Sequence, residues 1–206
     1  MAWHRTRGRS NERGASLIEA ALATPLFLLL IFTVFELGLL AFSDLTTTNA
    51  SRAGARSAGV FDARRNADFE ILATVGEKLG DFGLLKLDYV VVYRIDQVGD
   101  DMNPLCHSQS VSSAADPVRP CNRYVPADLN RPYYLADGVT ESTDFGCGVG
   151  AVDRFWCPAD RNTSLSGALD LVGVYVRTDH HYITGVIGQT QDLSGSTVSQ
   201  VEPVES

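Results

Sequence analysis

The longest apolar run in the chain is Leu17–Phe42, LIEAALATPLFLLLIFTVFELGLLAF, whose only charges are Glu19 and Glu36. A hydrocarbon core about 30 Å thick needs roughly 20 helical residues at about 1.5 Å each. The run is therefore long enough to cross a bilayer. Pro25 lies in its first half and is expected to kink the helix or free a carbonyl, which membrane helices tolerate. Ala41-Phe42-Ser43 loosely resembles the small-x-small site of a cleaved secretory signal. The apolar region of such a signal is only about 7–15 residues long, and two glutamates would be foreign to it. The pattern reads as an anchor.

The helix does not end where the lipid should. Asp44–Val60 has no proline, and its small residues Ala50, Ala53, Gly54 and Ser57 recur at helical spacing on one side. Asn49, Arg52 and Arg56 recur on another side, and Ser51 is expected off the small-residue stripe. One helix from about residue 16 to about residue 59 is the simplest structure, with the β-branched Thr46-Thr47-Thr48 as its weak point. The stripe allows close helix–helix approach, as small-xxx-small pairs do in membranes. It serves equally to pack the helix on its own domain, and both uses remain open.

Beyond Phe61 the periodicity changes. Ala67–Leu79 places Phe69, Leu72, Val75 and Leu79 on one face, an amphipathic helix closed by Gly80. Leu87–Ile95 is β-branched and aromatic, a strand. Ala168–Thr178 alternates Leu169, Leu171, Gly173, Tyr175 and Arg177 against Asp170, Val172, Val174 and Val176, a second strand, and Gly195–Val201 gives a third, less regular one. Residues 97–167 are rich in Pro, Gly, Asp, Asn and Ser, a loop excursion too long for a compact domain unless cross-linked. The fold class is α+β: a long N-terminal transmembrane helix continuing outside the membrane, then a small disulfide-stabilised domain with an antiparallel sheet.

The cross-links are Cys106, Cys121, Cys147 and Cys157, all inside the excursion. No C-x-x-C pair occurs, which argues against structural zinc. An even count in an exported chain favours two disulfides. Local pairing, Cys106–Cys121 and Cys147–Cys157, closes one loop each; the nested arrangement stays open among the three connectivities.

Charge gives the topology. The chain of 206 residues has a net charge of −8, but the charge is segregated. Residues 1–14 carry Arg5, Arg7, Arg9 and Arg13 against Glu12 alone, whereas from Phe69 onward there are 9 basic and 19 acidic residues. Basic flanks stay inside. The expected organisation is a basic cytoplasmic leader (1–14), a transmembrane helix (15–43), its extramembrane continuation (44–68) and an extracytoplasmic α+β domain (69–206). Such a chain is expected to be a single-pass membrane protein with its N-terminus inside and its C-terminal domain outside, and with membrane lipid as one partner. The acidic balance argues against nucleic acid, whose phosphates call for a basic patch.

Catalytic candidates are few. Asp179, His180, His181 and Tyr182 are the one His-Asp cluster, and adjacent histidines on a strand point to opposite sides. They are poor joint metal ligands and read as surface or hairpin residues with no third ligand. Ser164 and Ser166 lie in no G-x-S-x-G motif, and no glycine-rich phosphate loop follows a strand. The chain reads as non-enzymatic, with no catalytic, cofactor or metal site.

The N-terminus carries the most specific motif. Gly14 ends the basic leader, Ala15 opens the apolar run, and Glu19 is the fifth residue after the glycine. This arrangement resembles the class III, type IV prepilin-like leader, which implies cleavage after Gly14 by a prepilin peptidase. A new amino group on Ala15 would sit one turn from Glu19, and a carboxylate at that depth calls for a partner. The wider stretch Arg13–Arg56 resembles the TadE-like family of tight-adherence (Flp-type) pilus assembly proteins. The resemblance rests on Arg13-Gly14-Ala15, Glu19, Ala21, Pro25, Glu36, Gly38, Thr48-Asn49-Ala50, Arg52 and Gly54-Ala55-Arg56. It implies a minor pilin or pseudopilin that primes, caps or joins a Tad pilus, inside or at the base of the filament. The partners so implied are the Tad machinery and other pilin-like subunits, in a homo- or hetero-oligomer. The helix surface of Pro25, Glu36, Gly38, Asn49, Ala50, Arg52, Ala53, Gly54 and Arg56 would do the packing. The rival reading is a membrane-anchored adhesin or binding module whose helix only anchors.

Overall fold

The computed structural model describes residues 10–61, 63–80, 83–108, 120–134, 138–164 and 168–203, with side chains from Gly14 onward. Residues 1–9 of the basic leader lie outside the described residues, as does Ser166.

One helix, α1 (Ser10–Phe61), is 52 residues long and runs through both Pro25 and the threonine triplet. The triplet is not the weak point that propensity suggests. Thr46 and Thr47 bond their hydroxyls to the carbonyls of Phe42 and Ser43, one turn back. Thr47 also gains a partner across the fold, described below. A short turn leads to α2 (Ala67–Leu79), capped by Gly80 at φ 61°, where the Gly80 N–H donates to the Gly76 carbonyl. The left-handed backbone there is open to glycine at little cost.

Four strands follow: β1 (Leu85–Ile95), β2 (Cys121–Tyr124), β3 (Leu171–His181) and β4 (Thr190–Gln200). They form one antiparallel sheet in the order β2-β1-β3-β4. β4 begins well before Gly195, because its first half is polar and pairs from His181↔Thr190 onward as an edge. β2 has no counterpart in the sequence-based expectation. It is four residues long and sits inside the cysteine-rich excursion.

Both sheet faces are covered. Val90, Val92, Val172, Val174 and Val176 face α1 and α2, meeting Ala50, Ala55, Ala58, Ile71, Leu72 and Val75. The opposite face carries Tyr89, Val91, Tyr93 and Ile95, covered by Met102, Cys106 and Cys121 of the excursion. Two-sided burial explains why β1 reads as a near-continuous apolar run. On this second face Tyr93 lies flat across Gly173 of β3, where an added Cβ would fall 2.1 Å from the ring. The Tyr93 hydroxyl then reaches Ser196 of β4 at 2.8 Å, so one side chain spans three strands.

The excursion is held by the local disulfides, Cys106–Cys121 and Cys147–Cys157. A buried polar cluster adds to them. Asn122 of β2 donates to Asp68 of α2 and to the Trp156 carbonyl, and accepts from the Phe155 and Trp156 N–H groups. Its amide is fully used. Asp68 also takes hydrogen bonds from Tyr124 and from Arg161, whose guanidinium lies 4.6 Å over the Trp156 ring. Burial, and then the Asp68 charge, pushes the Tyr124 hydroxyl well above the ordinary tyrosine range.

Candidate assembly and anchoring surface

The helix α1 has two halves with opposite environments. From Gly14 to Phe35 every residue is exposed except the half-buried Thr33. This half includes Leu17, Leu22, Leu26, Phe27 and Phe35, which a water-soluble fold would bury. The helix from Gly14 to Phe61 is long and apolar enough to cross a membrane. From Glu36 the helix lies against the sheet. The side chain of Glu36 is 1% exposed and accepts a hydrogen bond from the Thr184 N–H in the β3–β4 hairpin. The contact with the domain thus begins eight residues before the boundary after Ser43 drawn from hydropathy.

A ladder of hydroxyls fastens the second half. Ser43 Oγ meets His180 Nδ1 at 2.9 Å, Thr47 Oγ1 meets Thr178 Oγ1 at 2.7 Å, and Ser51 Oγ meets Thr197 Oγ1 at 3.0 Å. The spacing follows from geometry. Four helical residues rise about 6 Å and two strand residues about 6.6 Å, so a helix antiparallel to β3 matches it step for step. The helix backbone comes very close here: a Cβ at Gly195 of β4 would lie 2.9 Å from Thr48 Cα.

The small-residue stripe serves this contact. Ala50, Gly54, Ser57 and Ala58 are buried and Ala53 is half-buried. A Cβ at Gly54 would meet Val75 at 2.8 Å and Val174 at 3.0 Å. Of the two uses open to the stripe, packing on its own domain is the one observed. Ser51, expected off the stripe, is fully buried within the contact. Asn49, Arg52 and Arg56 are exposed on the far side, as is Gly38, and in the bare half Pro25 and Glu19 are exposed too. Gly14 and Ala15 lie exposed at the start of this surface.

His180 corrects another expectation. It is not a surface residue but fully buried at the α1–β3 contact, whereas the adjacent His181 is half-buried on the other side of the strand. Burial lowers its pKa, against a smaller opposing effect of the Glu36 charge. Ser43, Thr47 and His180 are site residues that hydropathy and spacing missed. The signal available was polar: hydroxyls at i, i+4 and i+8 facing alternate strand residues. Among the described residues no group of three His, Cys, Asp or Glu side chains is placed to hold a metal ion.

A bare apolar helix, continuous with a helix that forms one layer of a two-sided sheet domain, is compatible with single-pass membrane anchoring. Residues 14–56 of the chain match the family model described as TadE-like protein. The match covers about a fifth of the chain and stops within α1. No curated protein and no solved structure matches the chain.

Proposed function

We propose that this protein is a minor pilin or pseudopilin of a Tad-type pilus, acting by helix packing and not by catalysis. The exposed apolar half of α1, within the TadE-like match, is the observation that carries this reading. In it the leader is removed after Gly14, and the amino group of Ala15 and the Glu19 carboxylate pair within or between subunits. Residues 15–35 bundle with equivalent helices while the domain projects outside. Prepilin peptidase, other pilin-like subunits and the Tad machinery are its partners.

With the stripe covered by its own sheet, the surface left for partners is the bare half together with Asn49, Arg52 and Arg56. That same covering favours, as a second reading, an anchored binding module, since the stripe needs no partner. A photo-crosslinking residue at Leu26 or Leu30 of the full chain, in cells making the pilus, separates the two. Crosslinks to the N-terminal helices of other pilin-like subunits are expected; crosslinks to lipid alone would sink the assembly role. N-terminal sequencing of the membrane-extracted chain should begin at Ala15.

A further inference from the structure

The β3–β4 hairpin tip meets α1 at Glu36, the residue that follows its bare half, and it is built like something that leaves water. Residues 182–191, YITGVIGQTQ, contain no charge in a domain that is otherwise strongly acidic. Ile183, Val186 and Ile187 are 59%, 53% and 44% exposed. The tip is nonetheless well constructed. Tyr182 N–H donates to the Gln189 carbonyl at 3.0 Å, closing the hairpin, and the Tyr182 ring stacks edge-on against His180 at 5.0 Å. Val186 N–H is held by the Thr184 hydroxyl, and Gly185 turns the chain at φ 68°.

Its height along the helix is fixed by the Thr184–Glu36 hydrogen bond. Below that point the bare segment from Ala15 to Phe35 is 21 residues, about 31 Å at ~1.5 Å each, which fills a hydrocarbon core of about 30 Å by itself. If the bare segment spans, the tip comes to rest at the outer headgroup level. Phe32, Phe35 and Leu37, within about a turn of Glu36 on the helix, are exposed as well.

We propose that the tip is a second membrane contact. Ile183, Val186 and Ile187 enter the boundary between headgroups and acyl chains beside Glu36, so that the protein meets the outer leaflet through both a helix and a hairpin. Apolar side chains at that boundary gain by leaving water, as the apolar faces of interfacial helices do. The uncharged polar neighbours Thr184, Gln189 and Gln191 can hydrogen-bond to headgroups at no cost of charge burial. The proposal rests on the spanning role of the bare helix and places the outer edge of the span at Phe35 instead of Ser43.

All four cysteines are in disulfides, so an introduced thiol is uniquely reactive. The full chain carrying Ile187→Cys, labelled with an environment-sensitive dye, is reconstituted in phosphatidylethanolamine–phosphatidylglycerol vesicles. Phe35→Cys reports the span, and Val149→Cys, on a fully exposed loop, reports water. Blue-shifted emission at positions 35 and 187, quenched by spin labels on the upper acyl chain, with position 149 unaffected, is expected. Quenching at 35 but a water-like signal at 187 would overturn the second contact and leave the span standing. No quenching at 35 would overturn both. A blue shift at 187 that lipid spin labels do not quench would assign the tip to a neighbouring protein and end the proposal.

Discussion

Ser43 on the helix and His180 on β3 are 137 residues apart in sequence, yet their Oγ and Nδ1 atoms lie 2.9 Å apart in a buried contact. That pair, with the Thr47–Thr178 and Ser51–Thr197 pairs further along the helix, fastens α1 to the sheet. Removing one partner of a buried hydrogen bond strands the other, at about 1–3 kcal/mol, whereas removing both with apolar residues of the same shape is nearly neutral. Thr47→Val and Thr178→Val should therefore each destabilise the domain by about 1–2 kcal/mol, and the double variant by less than their sum. Denaturant unfolding of the four proteins in detergent checks this, and strict additivity would deny the coupling.

The buried imidazole predicts a pH dependence. Burial lowers the His180 pKa below its ordinary 6.5, and His107 is shifted the same way by burial and then by Arg177 and Arg123. As pH falls through 6.5 the unfolded chain takes up protons that the folded one refuses, so stability declines. The loss should start below pH 6.5 and continue down to the folded-state values. Thermal melts from pH 7.5 to 5.5 should show it, and His180→Asn should flatten the slope.

Gly54→Leu should harm the fold directly. Its side chain would drive into Val75 and Val174, both stiff β-branched residues in the core. Overpacking of this kind costs about 1–3 kcal/mol or more. A melting temperature unchanged by Gly54→Leu would show that the helix is not pressed on the sheet there. Loss of piliation in this variant would not by itself reveal a partner surface; Arg52→Ala or Arg56→Ala, on the exposed side, are the cleaner probes.

Asp68→Ala should be among the most damaging changes outside α1. It leaves the fully buried Arg161 guanidinium without its carboxylate and removes one of Asn122's acceptors. Breaking a buried pair by deleting one partner typically costs about 3–5 kcal/mol. Circular dichroism and protease resistance of the purified chain should show a loosened domain; wild-type resistance would contradict the role given to this cluster.

The apolar period made much of this fold readable. The 26-residue run, the face of α2 and the alternation along β3 each repeat at the spacing of the element they form. Short polar elements were not readable, because four residues of β2 carry no period and the first half of β4 is an exposed edge. The stripe at Ala50–Ala58 was visible as a close-packing surface, but small residues look the same whether the neighbour is another chain or the protein's own Val174. His180 was misjudged for a related reason. Spacing places it next to His181, and only the tertiary structure brings Ser43 to it.

Because one unbroken helix carries both the bare apolar segment and a layer of the domain, there is no joint between that segment and the sheet. The clamped length from Glu36 to Phe61 is about 38 Å at ~1.5 Å per residue, slightly longer than the bare length below it. Mechanically this is a lever gripped along its outer half. A rotation or tilt imposed on the bare end must turn the sheet, the disulfide-bonded loops and the hairpin together. The direction in which the far loops face is then set at the bare end of the rod.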